Sequence, residues 1–368
     1  MLVLLIAFAV SLGVTLLVVR SAKSHGHLSM DLDTSGPQKF HAAPVPRIGG
    51  VGIVCALAAA TAITAWLAPD IGRSSALLLV CGAPAFFAGL VEDLTKRVSP
   101  AQRLLATAGS ATLAAWLLGA VIHRTDIPGL DALVTVTALA LAVTVFAVTG
   151  IANSVNIIDG FNGLASMCVV LMLVSLAYVG FQVGDDLVGM LALAGVGAVL
   201  GFFIWNFPAG LIFLGDGGAY FLGFYVAEIA ILLLVRNPEV SPLFPLLVCV
   251  YPVFETLFSI YRRKFLRQVP PSMPDGIHLH SLIYRRVMKW AVGNRSAKAM
   301  TRRNSMTSPF LWLLCMLSIV PAVLWWNNSA VMAMFLVAFA VSYVVLYWRI
   351  VRFKSPRWLR YPRRRPAA

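Results

Sequence analysis

The sequence predicts an all-α polytopic membrane protein with about eleven transmembrane helices. Three observations carry this expectation. Hydrophobic residues make up 60% of the 368 and charged residues 12%, with a mean hydropathy of +0.85, and no soluble domain hides so much apolar surface. Apolar runs close to twenty residues long recur from one end of the chain to the other. The basic residues crowd into alternate connections between those runs.

The runs fall at 2–20, 48–68, 74–92, 101–122, 132–150, 162–181, 187–205, 217–235, 242–261, 309–326 and 329–348. The first opens "MLVLLIAFAV" with neither a basic leader nor a small-residue cleavage site, so it reads as a retained anchor. The run at 48–68 follows "PRIGG", and the solvated turn "APDIGRS" parts it from 74–92. Behind Ser99-Pro100 comes 101–122, and "HRTDIPGLD" leads on to 132–150. The stretch "NSVNIIDGFNGLAS" ends that helix and opens 162–181, after which "VGDD" turns into 187–205. "FLGDGGAYF" opens 217–235, and 242–261 precedes a long basic loop, 262–308, before the last two runs. The whole of 1–368 reads as one integral membrane domain, with 349–368 as a basic interfacial tail that mixes Trp and Tyr with Arg. Each of the five cysteines (Cys55, Cys81, Cys168, Cys249 and Cys315) lies in an apolar run and reads as a packing residue.

In this scheme 26 of the 29 basic residues share one side, and only Arg73, Arg124 and Arg236 lie on the other. The rich side is cytoplasmic by the positive-inside rule, which puts the N-terminus outside and the C-terminus in the cytoplasm. The net charge of +14 therefore points to anionic lipids and anionic substrates, with no nucleic-acid partner.

The unusual polar stretches share that side: "DLDTSGPQKFHAAPVPRIGG", "GLVEDLTKRVSPAQR", "NSVNIIDGFNGLAS", "FLGDGGAYF" and "PDGIHLHSLIYRR". External connections are ordinary turns. A solvated surface would decorate both faces alike, so the cytoplasmic face carries the chemistry, in a cleft. Its carboxylates (Glu92, Asp93, Asp159, Asp216 and Asp275) accompany Lys, Arg and two histidines on one short segment. Hard oxygen ligands suit Mg2+, with Mn2+ as the alternative, and such ions bridge to substrate phosphates. Phosphoryl transfer needs that metal, cationic clamps and a positioned nucleophile. The glycines of "LGDGG" let backbone N–H groups approach phosphate oxygens.

Together these motifs resemble those of the polyprenyl-phosphate N-acetylhexosamine-1-phosphate transferases. The first stretch is similar to the family's first cytoplasmic signature, here Lys39, His41, Pro44, Pro46, Arg47, Gly49 and Gly50. "VEDLTKRVSP" resembles its acidic pair and Ser-Pro helix start, and "NSVNIIDGFNGLAS" its Asn-x-x-Asn-x-x-Asp-Gly block. "FLGDGG" resembles the Phe-x-Gly-Asp block and "IHLHS" the late histidine motif. The resemblance implies a bacterial inner-membrane enzyme that moves a sugar 1-phosphate from a UDP-N-acetylhexosamine to a polyprenyl phosphate, with undecaprenyl phosphate the expected carrier. The product is a lipid-linked precursor of a cell-envelope glycan. It implies Asn156 and Asp216 as Mg2+ ligands, and Asn153, Gly160, Phe161, Asn162 and Phe213 around the nucleotide-sugar. Catalytic roles go to Asp93, Asp159, Glu92, His278 and His280, and Lys39, Arg47 and Arg103 become phosphate clamps.

Two residues depart from the commoner pattern. The acidic pair is usually Asp-Asp and here is Glu92-Asp93, which makes Asp93 the essential carboxylate and Glu92 its support. Ser281 stands where a further histidine is usual, leaving His278 and His280. Asp93 would take or position the proton of the lipid phosphate, while Asp159 is the candidate for a covalent intermediate; the sequence leaves both routes open. A secondary transporter of an anionic solute is the alternative class, but its site belongs at the midplane, where only Glu228 and Glu255 are candidates. The small residues of "AGVGAVLGFF" pack helices within one chain or between the chains of a homodimer. The sugar itself is not legible.

Overall fold

The computed structural model describes residues 1–22, 45–268, 276–288 and 296–352. All regular structure among them is helical: α1 (Leu2–Arg20), α2 (Gly49–Leu67), α3 (Pro69–Thr95), α4 (Pro100–Leu118), α5 (Leu130–Val134), α6 (Thr137–Ile158), α7 (Leu164–Gln182), α8 (Asp186–Asn206), α9 (Gly215–Arg236), α10 (Leu243–Val248), α11 (Val250–Tyr261), α12 (Leu279–Leu282), α13 (Ala297–Leu324) and α14 (Ser329–Val351). Single π-helical turns follow α11, at Arg262–Arg267, and α12, at Ile283–Met288. Nine helices among the described residues are long and apolar enough to cross a membrane. The other two expected runs are α4 and the broken pair α10–α11. Pro252 removes a backbone donor just past that break, at Cys249.

α9 is the axis of the molecule. The apolar window of α9 is 89% buried, against 17% for the peripheral α14. α9 packs on α2, α3, α6 and α7, and small residues bring the backbones together. A Cβ on Gly50 of α2 would sit 2.5 Å from the Gly218 Cα, and one on Gly89 of α3 would meet the Gly217 backbone. Interfaces of small residues are how membrane helices gain close packing without a hydrophobic drive. The same logic settles "AGVGAVLGFF": Gly197 and Gly201 press on the backbone of α1, and Gly195 on Leu173 of α7, so these glycines pack within the chain.

Local chemistry fixes the helix ends that matter. α3 contains Pro84, and the Ala85 N–H beside it donates to Ser110 Oγ of α4 at 3.1 Å. α3 ends in a left-handed Lys96 (φ 57°), and Glu92 Oε2 accepts the Val98 N–H at 2.8 Å to close the turn. α4 then starts from a capping box: Ser99 Oγ accepts the Gln102 N–H and Gln102 Oε1 accepts the Ser99 N–H, with Pro100 in the first turn.

Two helices outrun their apolar stretches. α6 continues to Ile158, so Asn153 and Asn156 stand on helix. α13 begins at Ala297, with Ser296 capping the Ala299 N–H, so the last part of the loop expected over 262–308 is helical. Its "AKAMTRRNSM" is polar yet rich in helix formers, and hydropathy marks only the part that meets lipid. The basic tail from 353 onward lies outside the described residues.

Candidate active site

Asp216 stands in the first turn of α9, and four other polar groups meet it. Its carboxylate is paired with Arg103 Nη1 of α4. Arg47 Nη2, just before α2, lies 3.5 Å from Asp216 Oδ1 and 3.8 Å from Asp93 Oδ1. Asn156 Nδ2 of α6 donates to Asp216 Oδ1 at 3.0 Å. Asp93, at the end of α3 and 2% exposed, accepts the N–H groups of Asp216 and Gly217 with its two oxygens, each at 2.9 Å. A carboxylate at a helix N-terminus satisfies orphan donors and complements the dipole. Gly215 (φ 78°) makes the approach possible, because a Cβ there would run into the Arg47 carbonyl and the Asp93 carboxylate. The 46–50 segment is laced to this turn: Phe213 N–H donates to Pro46 O at 2.8 Å and Gly49 N–H to Phe213 O at 3.0 Å. Behind the cluster, the Arg103 guanidinium lies 5.7 Å over the Tyr220 ring, whose hydroxyl donates to Asn153 Oδ1 at 3.1 Å.

Asp159 follows α6 directly. Burial pushes its carboxyl up to about 7; Arg47 opposes that shift, and the charges of Asp216 and Asp93 add to it. The loop it opens is held from several sides. Asn162 donates its backbone N–H to Asn304 Oδ1 at 2.8 Å and receives Ser308 Oγ on its carbonyl at 2.6 Å. Its side-chain amide reaches Pro208 O and Ser305 Oγ, both at 3.3 Å. Gly163 N–H donates to Asn206 Oδ1 at 2.6 Å, and Trp312 Nε1 to Gly163 O at 3.1 Å. Phe161 is buried, its ring 5.4 Å from both the His280 and the Tyr284 rings. Gly160 is exposed beside His280.

His278 and His280 flank the start of α12, with their rings stacked 5.1 Å apart. His278 Nδ1 meets Glu255 Oε1 of α11 at 2.9 Å.

The model of "Glycosyl transferase family 4" matches residues 75–234. A Bacillus subtilis (strain 168) protein named "Probable undecaprenyl-phosphate N-acetylglucosaminyl 1-phosphate transferase" is 28% identical over 297 residues, covering 79% of each chain. A Thermotoga maritima protein named "Undecaprenyl-phosphate alpha-N-acetylglucosaminyl 1-phosphate transferase" is 28% identical over 70% of this chain and 75% of its own. A Clostridium botulinum "Phospho-N-acetylmuramoyl-pentapeptide-transferase" is 43% identical over a shorter stretch, 33% of this chain and 35% of its own. Residues 75–234 thus resemble glycosyl transferase family 4.

The family match spans Glu92, Asp93, Arg103, Asn153, Asn156, Asp159, Gly160, Phe161, Asn162, Phe213 and Asp216. Asp93, Arg103, Asn156 and Asp216 form one cluster with Arg47, and His280 joins the Gly160–Phe161 edge. Glu92 stands apart, spent on the turn after α3. Lys39 lies outside the described residues. For a cation, Asp216 and Asn156 carry donor types that a hard divalent ion takes, a carboxylate and an amide, with the Asn156 Nδ2 as the amide atom that faces Asp216 Oδ1 here. Among the described residues no three His, Cys, Asp or Glu side chains converge on one point. Such an ion would thus lean on substrate phosphates, as Mg2+ commonly does.

Sequence reasoning passed over Tyr220, Asn206, Asn304 and Ser308, which brace the site from within helices. No local signal marks them, because a hydroxyl or an amide on a helix is ordinary. It named Glu255 only as a deep acid. A lone carboxylate in an apolar run facing a later histidine pair was the signal there.

Proposed function

We propose that this protein transfers an N-acetylhexosamine 1-phosphate from a UDP-sugar to a polyprenyl phosphate, releasing UMP and starting a lipid-linked cell-envelope glycan. The observation that carries this reading is the cluster of Asp216 with Arg47, Arg103 and Asn156 at the start of the central helix. The names of the two longest-matching relatives above support it. The acceptor in a bacterial inner membrane is undecaprenyl phosphate. Eleven crossings, with the N-terminus outside and the cluster at the cytoplasmic face, follow from nine long apolar helices plus α4 and α10–α11, together with the basic residues on that side.

In the reaction a lipid phosphate oxygen attacks the β-phosphorus of the UDP-sugar. The bond from that phosphorus to the bridging oxygen breaks, and UMP leaves. Arg47 and Arg103 bind and orient the diphosphate, Arg suiting the fork geometry of phosphate oxygens. Asp159 faces the same charges and takes the proton of the lipid phosphate when it carries one; with a second phosphate pKa of about 6, little help is needed. Asp93 fixes the Asp216 backbone. Gly160 and Phe213 border the base, on a loop whose Asn162 is tied down from three sides. Asp216 and Asn156 would hold a Mg2+ ion, which would supply charge neutralisation for the diphosphate.

The deciding experiment is UMP release by the purified protein in nanodiscs with undecaprenyl phosphate, over a panel of UDP-sugars. UDP-N-acetylglucosamine is the first substrate to try, and the panel reports which sugar is preferred. No UMP from any of them would refute the reading.

A further inference from the structure

Glu255 lies on α11, fully buried in a helix with no other charged residue, and the transfer chemistry above does not use it. Oε1 of Glu255 accepts hydrogen bonds from His278 Nδ1 at 2.9 Å and from the Leu279 backbone N–H at 3.1 Å. Oε2 accepts the hydroxyl of Tyr343, on α14, at 2.7 Å. Three donors from two distant segments thus converge on one carboxylate. His278 stacks on His280 with the ring planes 18° apart, and His280 meets Phe161 edge to face. The His280 Nε2 stands 3.5 Å from the point a Gly160 Cβ would occupy. The line Tyr343–Glu255–His278–His280–Gly160 therefore ends one residue from Asp159. Among the described residues, Tyr251, Arg262 and Tyr347 also lie close to it. Tyr251 feels the Glu255 charge, and Arg262 donates to Ile277 O at 3.0 Å and reaches the Tyr347 hydroxyl at 2.7 Å.

Burying a carboxylate is costly unless every oxygen is paired. If the only task were to staple α12 against α11, an apolar contact would serve at lower cost. A carboxylate on one imidazole nitrogen does something a methyl group cannot: it fixes the tautomer and orientation of the ring, so that the opposite nitrogen is the one that works. We propose that Glu255 is a positioning residue for the transfer reaction, holding the His278 ring by Nδ1 and thereby setting the His278–His280 pair against the Asp159–Phe161 loop. This rests on the function proposed above.

Glu255→Gln keeps the shape and an acceptor oxygen but removes the charge. The expected result is a fall in kcat of about ten-fold or more, with KM for the UDP-sugar and for the lipid phosphate within about three-fold. Glu255→Asp, which keeps the charge, should recover more of kcat than Gln does; a purely steric staple predicts the reverse order. Independently of activity, 15N-histidine NMR should place the His278 proton on Nδ1 in the wild type and distribute it in Glu255→Gln, with the signal assigned by its loss in His278→Gln. If Glu255→Gln proves unfolded, Tyr343→Phe strips one donor from Oε2 and should still lower kcat by about two- to five-fold at unchanged KM. Unchanged kcat in whichever of these variants folds, or a wild-type His278 proton on Nε2, would overturn the proposal. A wild type inert toward every UDP-sugar would instead count against the transfer reading, and the NMR result then decides the role of Glu255 alone.

Discussion

Asp93 closes the N-terminus of the helix that carries Asp216: one carboxylate oxygen takes the Asp216 N–H and the other the Gly217 N–H, each at 2.9 Å. Two acids from helices far apart in sequence thus sit in one site, one turned to backbone and the other to side chains.

That division gives opposite expectations for the two neighbours Glu92 and Asp93. Asp93→Asn leaves an NH2 group facing a backbone donor, so it should weaken the α9 cap by about 1 kcal/mol. It should also lower turnover by roughly 100-fold and weaken UDP-sugar binding, because Asp216 moves with the cap. Glu92→Gln keeps an acceptor for the Val98 N–H and should stay within about two-fold of wild type. Thermal melts, UMP release and UDP-sugar titrations on both variants test this. An Asp93→Asn protein with normal affinity would mean that Asp93 does not position Asp216.

Asp216 itself is partly open to solvent, and its carboxylate meets the side chains of Arg47, Arg103 and Asn156. Asp216→Asn should keep the fold, with a melting temperature close to wild type, while activity falls by two orders of magnitude or more. Activity should vanish on chelation with EDTA and return with Mg2+ or Mn2+. A rate that survives chelation would remove the cation from the scheme.

Asp159 provides a pH signature with two opposed readouts. Its folded value of about 7 lies above the unfolded value of about 3.9, so the protonated form favours the fold. That contribution is complete below about pH 4 and is lost as pH rises through about 7. The proposed proton acceptor needs the ionised form, so kcat/KM should rise through about pH 7 while the melting temperature falls. In Asp159→Asn both trends should flatten, leaving only the limb of the lipid phosphate near pH 6. A limb near pH 7 that persists in Asp159→Asn belongs to another group.

Helix contact rather than chemistry is probed at Gly89. A Cβ there meets the Gly217 backbone, so Gly89→Ala should cost about 1–3 kcal/mol of stability and displace the start of α9. Lower activity with a lower melting temperature is the expected pairing. Gly109→Ala, on the neighbouring α4 with open space around it, should leave both unchanged.

Sidedness is tested by labelling single cysteines in a cysteine-free background. Gln268→Cys should react only from the cytoplasm, and Gly129→Cys and Gly184→Cys only from outside. A Gln268→Cys that reacts from outside would invert the scheme and move the site to the wrong face.

The sequence alone determined the class of fold and its apolar runs, and it set the expectation for the face that holds the chemistry. Each rests on one-dimensional physics: an apolar run must find lipid or protein, and a basic residue stays on its own side of the bilayer. The resemblance likewise named Asn156 and Asp216 as partners, and Arg103 was a phosphate-clamp candidate, before any contact was known. Tertiary structure alone decided what each polar group touches. Asp93 turned out to serve a backbone turn more than 120 residues away, and the Asn162 amide is spent on α13 and the 208 carbonyl rather than left open. Glu255 gained its meaning only when α11, α12 and α14 came together. A hydrogen bond depends on where two groups lie in space, and the hydropathy that places a helix in the membrane carries no information about which side chain of another helix will face it.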